Sequence, residues 1–289
     1  MSEKFDIVIS VGVKDVFIVQ KTVKYIRRNI TADIIYLIMD RKNYCFFSNA
    51  FLKDYQVVLL DENSLCPDLT FTNVRKVIDE HLEIKSYGWY YQQFLKIGFC
   101  LSMYAKEVYL IWDADTIPLN KLSFKDGKHY ICTAKTEYHK PYFDTLKKLL
   151  GLERQVDFSF IAEHMIVDVS VMRKLVDIIQ NSSVKGSVWF EKIINSIDKD
   201  ARNGFSEFET YGNFSMKNYP DLYIVNQLRT LREGGLLYGR GVTKTELDHL
   251  SDQYDTVSFE QRDYPPFPRN MYQFLQKIFF YFLLKFRKV

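Results

Sequence analysis

The chain has 289 residues, of which 47% are hydrophobic and 16% aromatic, with a formal net charge of +3. That length and apolar content exclude disorder and allow one large α/β core with a possible appendage. The charge is uneven: Tyr264 to the C-terminus holds five basic residues and no acidic ones, leaving the remainder at −2, which excludes a basic body for nucleic acid.

Met-Ser-Glu-Lys leads straight into Phe5–Val13, the first expected strand, so no secretory signal is expected. That strand ends at Gly12 and Val13. Val16, Val19, Val23, Ile26 and Ile30 then recur at helical spacing. Asp33 to Met39 reads as a second strand, ending at Asp40, and Tyr55 to Leu60 as a third, ending in Asp61 and Glu62. The alternation predicts a mostly parallel sheet flanked by helices, with ligands beyond the carboxyl ends of the strands. Gly12, Val13 and Asp40 are therefore candidates for binding a nucleoside. Gly-x-Gly-x-x-Gly spacing is missing, which argues against a glycine-cradled dinucleotide or P-loop site. The four cysteines (Cys45, Cys66, Cys100, Cys132) have neither disulfide nor zinc spacing and read as reduced thiols of a cytoplasmic protein.

Ser86 to Tyr104 reads as a helix that feeds a central strand. Phe94, Leu95, Ile97 and Leu101 would pack on the sheet, while Trp89, Gln92, Gln93 and Lys96 share another face. That face suits a cleft wall, with Gln93 and Lys96 near phosphates or sugar; an amphipathic helix with a snorkelling lysine is the plainer alternative. Val108 to Trp112 is an unbroken apolar run, the mark of a strand covered on both sides. It ends in Asp113-Ala114-Asp115. In extended chain, side chains two apart point the same way, so both carboxylates could converge on a hard divalent cation and, through it, a diphosphate. Ala114 leaves room for the ligand beside Trp112. Asp115 or Thr116 could instead only cap a helix ahead of Pro118. A second Asp-x-Asp, Asp198-Lys199-Asp200, lies in a polar stretch and reads as a solvated loop.

Tyr130 to Ala134 is an expected strand and Pro141 to Leu150 an expected helix. Within Phe158–Val169, Glu163 and His164 precede a short apolar strand. Either they face an acceptor or one of them satisfies a buried group. Helices are expected at Val171–Ile179 and Val188–Ile197. Ser206 and Glu209 have capping-box spacing, which starts a helix and puts Glu207 in its first turn. Gly234-Gly235 and Gly239-Arg240-Gly241 mark a flexible region before Thr243–Ser251. Tyr264-Pro-Pro-Phe-Pro268 is a stiff break that divides a domain over 1–263 from an appendage over 264–289. No apolar run reaches the roughly 18 residues of a membrane span. In the last segment Lys277, Lys285 and Lys288 group opposite Phe279, Phe282 and Phe286, which suits a helix lying on the anionic inner face of the cytoplasmic membrane or one docked on the domain.

Three blocks, Gly88-Trp-Tyr-Tyr-Gln-Gln-Phe-Leu-Lys-Ile97, Tyr109-Leu-Ile-Trp-Asp-Ala-Asp-Thr-Ile-Pro-Leu119 and Ser206-Glu-Phe-Glu-Thr-Tyr-Gly-Asn213, resemble bacterial glycosyltransferases of the GT-A type. The likeness is to a group described mostly as a domain of unknown function, from capsule and lipopolysaccharide loci, and it runs from about Phe5 to Arg240. It implies a Rossmann-like GT-A fold and a nucleotide-sugar donor, with UDP-sugar the expectation. It also implies a glycan or lipid-linked glycan acceptor, and Mn²⁺ or Mg²⁺ held by Asp113 and Asp115, with His249 completing the metal shell. It implies a carboxylate near the start of a helix to deprotonate the acceptor, Glu207 before Glu163 and Glu163 before Glu209. A sugar-nucleotide pyrophosphorylase or a non-catalytic glycan-binding protein are the rival readings. The first usually opens with a glycine-rich loop that this chain lacks.

Overall fold

The structure is a computed structural model that describes residues 4–260 and 262–286. Phe5–Ser10 (β1) lacks polar alternation because it is covered on both faces, and all six residues are buried. Its one acid, Asp6, accepts the Ile34 N–H at 3.1 Å and lies 3.2 Å from the Lys106 ammonium. Along the chain follow α1 (Ile18–Asn29), β2 (Ala32–Met39), α2 (Asn49–Asp54), β3 (Val57–Asp61), α3 (Phe71–His81), α4 (Tyr87–Gly98) and β4 (Val108–Trp112). Next come β5 (Thr116–Pro118), β6 (Lys125–Asp126), β7 (His129–Thr133), α5 (Lys140–Leu150), β8 (His164–Asp168), α6 (Val169–Gln180), α7 (Trp189–Ser196) and α8 (Glu207–Asn218). The chain ends with β9 (Tyr223–Asn226), β10 (Thr230–Leu231), α9 (Gly234–Tyr238), α10 (Lys244–Ser251), β11 (Thr256–Ser258) and α11 (Asn270–Phe286). The first strand stops at Ser10, short of the expected Val13. The helix expected to reach Tyr104 ends at Gly98, where a 3-10 turn over Phe99–Leu101 takes over.

The chain divides into two compact units. One is drawn from Met1–Gly12, Ala32–Asp113 and Ser123–Gln227, the other from Val13–Thr31, Ala114–Leu122 and Leu228–Val289. The first holds a five-stranded sheet of order β3-β2-β1-β4-β8, in which β1 to β4 run parallel and β8 antiparallel to β4. Sequential strands move outward from β1 through β2 to β3, after which the chain returns to place β4 on the other side of β1. The order therefore reverses between β1 and β4, and in such sheets the crevice at the carboxyl ends of that pair takes ligands. A small sheet, β6-β7-β9, belongs to the same unit. In the second unit β10, β11 and β5 form a sheet over a core of Ile18, Ile117, Leu119, Val242, Leu247, Leu250, Val257 and Phe259. Among the described residues no helix is long and apolar enough to cross a membrane.

α8 binds the first unit together. Ser206 accepts the Glu209 N–H at 3.3 Å, as its capping spacing predicts. The Glu209 carboxylate does not complete the capping box. It accepts the Ser159 hydroxyl, the Phe160 N–H and the Asn213 amide instead. Tyr211 accepts the Asp168 N–H at 2.9 Å and shares a 2.6 Å bond with the Tyr223 hydroxyl, which donates to the Ile166 carbonyl. Gly212 lies under the Phe160 ring so closely that a Cβ would come within 2.4 Å of it. Phe160 is buried, so it cannot swing aside. Gly212→Ala should therefore lower stability by roughly 1–3 kcal/mol, the usual cost of overpacking. Thermal unfolding of this variant, and partial recovery in a Gly212→Ala/Phe160→Leu double variant, checks the contact.

Candidate active site

The carboxyl ends of β1, β2, β3 and β4 share one edge of the sheet, where Gly12, Asp40 and Asp113 follow their strands as expected and Asp61 is the last residue of β3. Gly12 is exposed in the loop after β1. Asp40 caps a 3-10 turn by accepting the Lys42 N–H at 2.9 Å. Glu62, beside it, is pushed up to about 7 by burial and then by the Asp40 and Asp61 charges. Asp113 stands at the end of β4, next to the reversal point, where its N–H donates to the Glu163 carbonyl at 2.9 Å.

The helix face expected to line a cleft turns inward. Lys96 is 3% exposed, and its ammonium donates to Asp113 Oδ1 at 2.5 Å and Glu207 Oε1 at 2.7 Å. It also sits 4.7 Å from the centroid of the Phe208 ring. Burial opposes its charge, but the Asp113 and Glu207 carboxylates outweigh that and hold its pKa above the ordinary lysine value. Gln93, one turn earlier, accepts the Glu207 N–H at 3.0 Å and donates to the Trp89 carbonyl, so it secures the α8 N-terminus and does not reach toward a donor. Trp89 stacks on Tyr142 at 6.3 Å.

Glu207 is 4% exposed. Desolvation pushes its carboxyl up and the Lys96 charge pulls it back. In this structure it holds Lys96, and as a base it would first have to leave that ammonium. Glu163 is 5% exposed with φ +61°, a left-handed conformation that a non-glycine residue adopts only under constraint from its surroundings.

Trp112 and His164 also depart from expectation. Trp112 is fully buried and stacks on His164 with centroids 5.0 Å apart. The imidazole Nε2 lies 3.0 Å from the Thr133 hydroxyl, and Phe124 meets the ring edge-on. Burial, followed by the Lys135 charge, depresses the His164 pKa to about 3. Both rings are core: the antiparallel pairing of β4 with β8 sets Trp112 opposite His164.

In the second unit Ala114 is buried, and its carbonyl accepts the Thr22 hydroxyl at 2.8 Å. Val13 is half-buried in a 3-10 turn. Asp115 accepts the Phe259 N–H through its carbonyl at 2.9 Å, and its carboxylate lies 3.9 Å from the Arg240 guanidinium. Arg240 is 6% exposed, pairs with Asp15 and donates to the Lys14 and Phe259 carbonyls. Sequence reasoning passed over it as part of a flexible Gly-Arg-Gly; the signal was a large cation set between two residues that allow close packing.

Ala114 and Asp115 form a turn after Trp112, so the alternation of extended chain does not continue through the Asp-x-Asp pair. Chemically the pair still suits a hard cation. Both side chains are partly open, 28% exposed for Asp113 and 25% for Asp115. Mg²⁺ or Mn²⁺ needs only one or two protein carboxylates, the rest of its shell coming from diphosphate and water. Among the described residues no group of three or more His, Cys, Asp or Glu is placed to hold a metal. His249 lies exposed in the last turn of α10. Asp198 and Asp200 lie exposed around a turn, the solvated loop expected.

Residues 14–228 match the profile of a family described as "Family of unknown function (DUF6492)". No curated protein matches the sequence. Among solved structures, the chain is similar to apo mouse xyloside xylosyltransferase 1, with a TM-score of 0.45 and 9% identity over 88% of this chain and 97% of that one. It is also similar to the galactosyltransferase LgtC in complex with donor and acceptor sugar analogues, at 0.43 and 11% identity over 88% and 87%. A third is the glycosyltransferase GlyE of Streptococcus pneumoniae TIGR4, at 0.44 and 13% over 90% of this chain and 56% of that one.

Removing one member of a buried ion pair strands the other. Lys96→Met should cost about 3–5 kcal/mol; Lys96→Met/Glu207→Gln should cost less than the sum of the two single changes, as denaturant unfolding of the four proteins would measure. His164 generates a pH effect. An unfolded chain holds it near the ordinary 6.5, whereas the fold depresses it to about 3. Below pH 6.5 the unfolded chain binds a proton that the native state refuses. Its contribution is therefore whole above 6.5 and is lost toward pH 3, at up to about 1.4 kcal/mol per pH unit. His164→Phe should flatten the urea midpoint against pH over that window.

Proposed function

We propose that this chain, which belongs to the family of unknown function DUF6492, is a metal-dependent glycosyltransferase that moves a sugar from a nucleoside-diphosphate donor, a UDP-sugar in our reading, to a glycan or lipid-linked glycan. The observation that carries this reading is the place of Asp113. A partly open carboxylate follows the central strand β4, beside the point where the sheet order reverses, and is held from behind by a buried ammonium. Parallel sheets bind nucleotides at that point, and the three blocks that resemble capsule and lipopolysaccharide enzymes support the donor and acceptor classes.

Asp113 and Asp115 would hold Mn²⁺ or Mg²⁺, which when bound offsets the charge that develops on a leaving diphosphate. The chain's own residues set the stage for this. Lys96 ties Oδ1 of Asp113 and so orients the carboxylate toward the sheet edge. Glu207 keeps the ammonium there, and Gln93 secures Glu207 by accepting its backbone N–H. Gly12 has no side chain to block approach to the end of β1, and Asp40 stands at the end of β2, where a ribose hydroxyl could meet a carboxylate.

Calorimetry with UDP, with and without Mn²⁺, tests the reading. Binding should require the metal, and Asp113→Asn or Asp115→Asn should abolish both metal-dependent binding and sugar transfer; Asp115→Asn should leave the melting temperature within a few degrees, whereas Asp113→Asn, which takes one of the two charges from buried Lys96, should lower it. Metal-independent or absent nucleotide binding would turn the assignment toward a glycan-binding scaffold. Retained turnover in both Asn variants would remove the pair from the chemistry.

A further inference from the structure

Sugar transfer at the sheet edge makes no use of the C-terminal helix. α11 follows a Pro-rich break and touches its own unit along one side. Tyr272 lies against Gly241, where a Cβ would come within 3.1 Å of the ring, and Phe279 meets Phe17 with centroids 6.1 Å apart. Just before the helix, Arg269 pairs with Glu246 at 2.6 Å and lies over the Tyr238 ring. At about 100° per residue, Tyr272 and Phe279 fall within about 20° of each other on the helix. Both keep an exposed side, Tyr272 at 45% and Phe279 at 46%. The side chains of Lys277, Lys285 and Phe286, and Lys288 altogether, lie outside the described residues.

Another stripe is exposed. Met271, Phe274, Leu275 and Ile278 follow one another at i, i+3, i+4 and i+7, the spacing of one helical face. They are 51%, 60%, 58% and 38% exposed. A helix that packs one edge on its protein ordinarily offers polar residues elsewhere, and a continuous apolar stripe of this length marks an interaction surface. The charge of the segment selects the partner. Tyr264 to Val289 has five basic residues and no acid. Like charge on both sides disfavours pairing with a second copy of the same helix, whereas an anionic surface gains from every base.

We infer that α11 lies in the plane of an anionic lipid bilayer, with the stripe from Met271 to Ile278 sunk into the boundary between headgroups and acyl chains. Apolar residues on one face, bases without acids around them and a length short of a span are what interfacial helices use. This attachment stands independently of the chemistry proposed at Asp113.

The test is flotation of the full chain with vesicles of phosphatidylcholine alone and of phosphatidylcholine with phosphatidylglycerol at roughly 7:3. Partition into the anionic vesicles should be at least about tenfold the stronger and should weaken in high salt. Phe274→Ser/Leu275→Ser should cut it by about tenfold or more at an unchanged melting temperature, and Ile278→Ser by less. Equal partition of wild type and the double variant would overturn the inference, as would absence of wild-type protein from the anionic vesicles. So would a concentration-dependent dimer in light scattering that the same double substitution dissolves, because the stripe would then be an interface between copies.

Discussion

The buried ammonium of Lys96, shared between Asp113 and Glu207, is the constraint on which the candidate site depends. An isolated ammonium could not be desolvated to this degree. Two carboxylates at 2.5 and 2.7 Å offset that cost and oblige three separate pieces of chain to meet: the last turn of α4, the end of β4 and the first turn of α8. The same contact decides what each carboxylate can do. Asp113 keeps an open side toward the sheet edge, whereas Glu207 is enclosed and serves to hold.

Around that contact, the first turns of α8 spend nearly every polar group on structure. Glu209 takes bonds from Ser159, Phe160 and Asn213, Tyr211 supports the end of β8, and Asn213 accepts the Gln155 N–H at 2.7 Å. Gly212 admits the Phe160 ring where any larger residue would collide. The distinctive look of Ser206 to Asn213 is thus explained by packing, with each unusual residue answering to a neighbour far away in the chain. Tyr109 does likewise for α4, donating its hydroxyl at 3.0 Å to the Lys96 carbonyl, one of the carbonyls a helix end leaves without a partner.

Polar and aromatic residues that flank a strand end, such as His164 and Trp112, read as lining a cleft. Yet β8 runs antiparallel to β4 and pairs Trp112 with His164, so the two rings stack within the core. Period and composition are blind to which strand lies beside which. Arg240 shows the converse. A guanidinium flanked by glycines reads as a flexible linker until Asp15 and Lys14, more than 220 positions away, and Phe259, 19 positions away, are seen to enclose it.

The elements and their order were legible from the sequence alone. Apolar runs with no alternation mark Phe5–Ser10 and Val108–Trp112 as buried strands, strand–helix alternation demands a mostly parallel sheet, and that sheet puts Gly12, Asp40, Asp61 and Asp113 on one edge. Local rules suffice for these because they arise from backbone geometry and from which residues avoid water. Tertiary structure alone decided that Lys96 turns inward to Asp113 and Glu207, that His164 stays neutral in the core, and that Tyr272 and Phe279 of α11 meet Gly241 and Phe17. Those outcomes depend on contacts between residues far apart in the chain, where burial and charge pairing outweigh anything that spacing along the sequence can express.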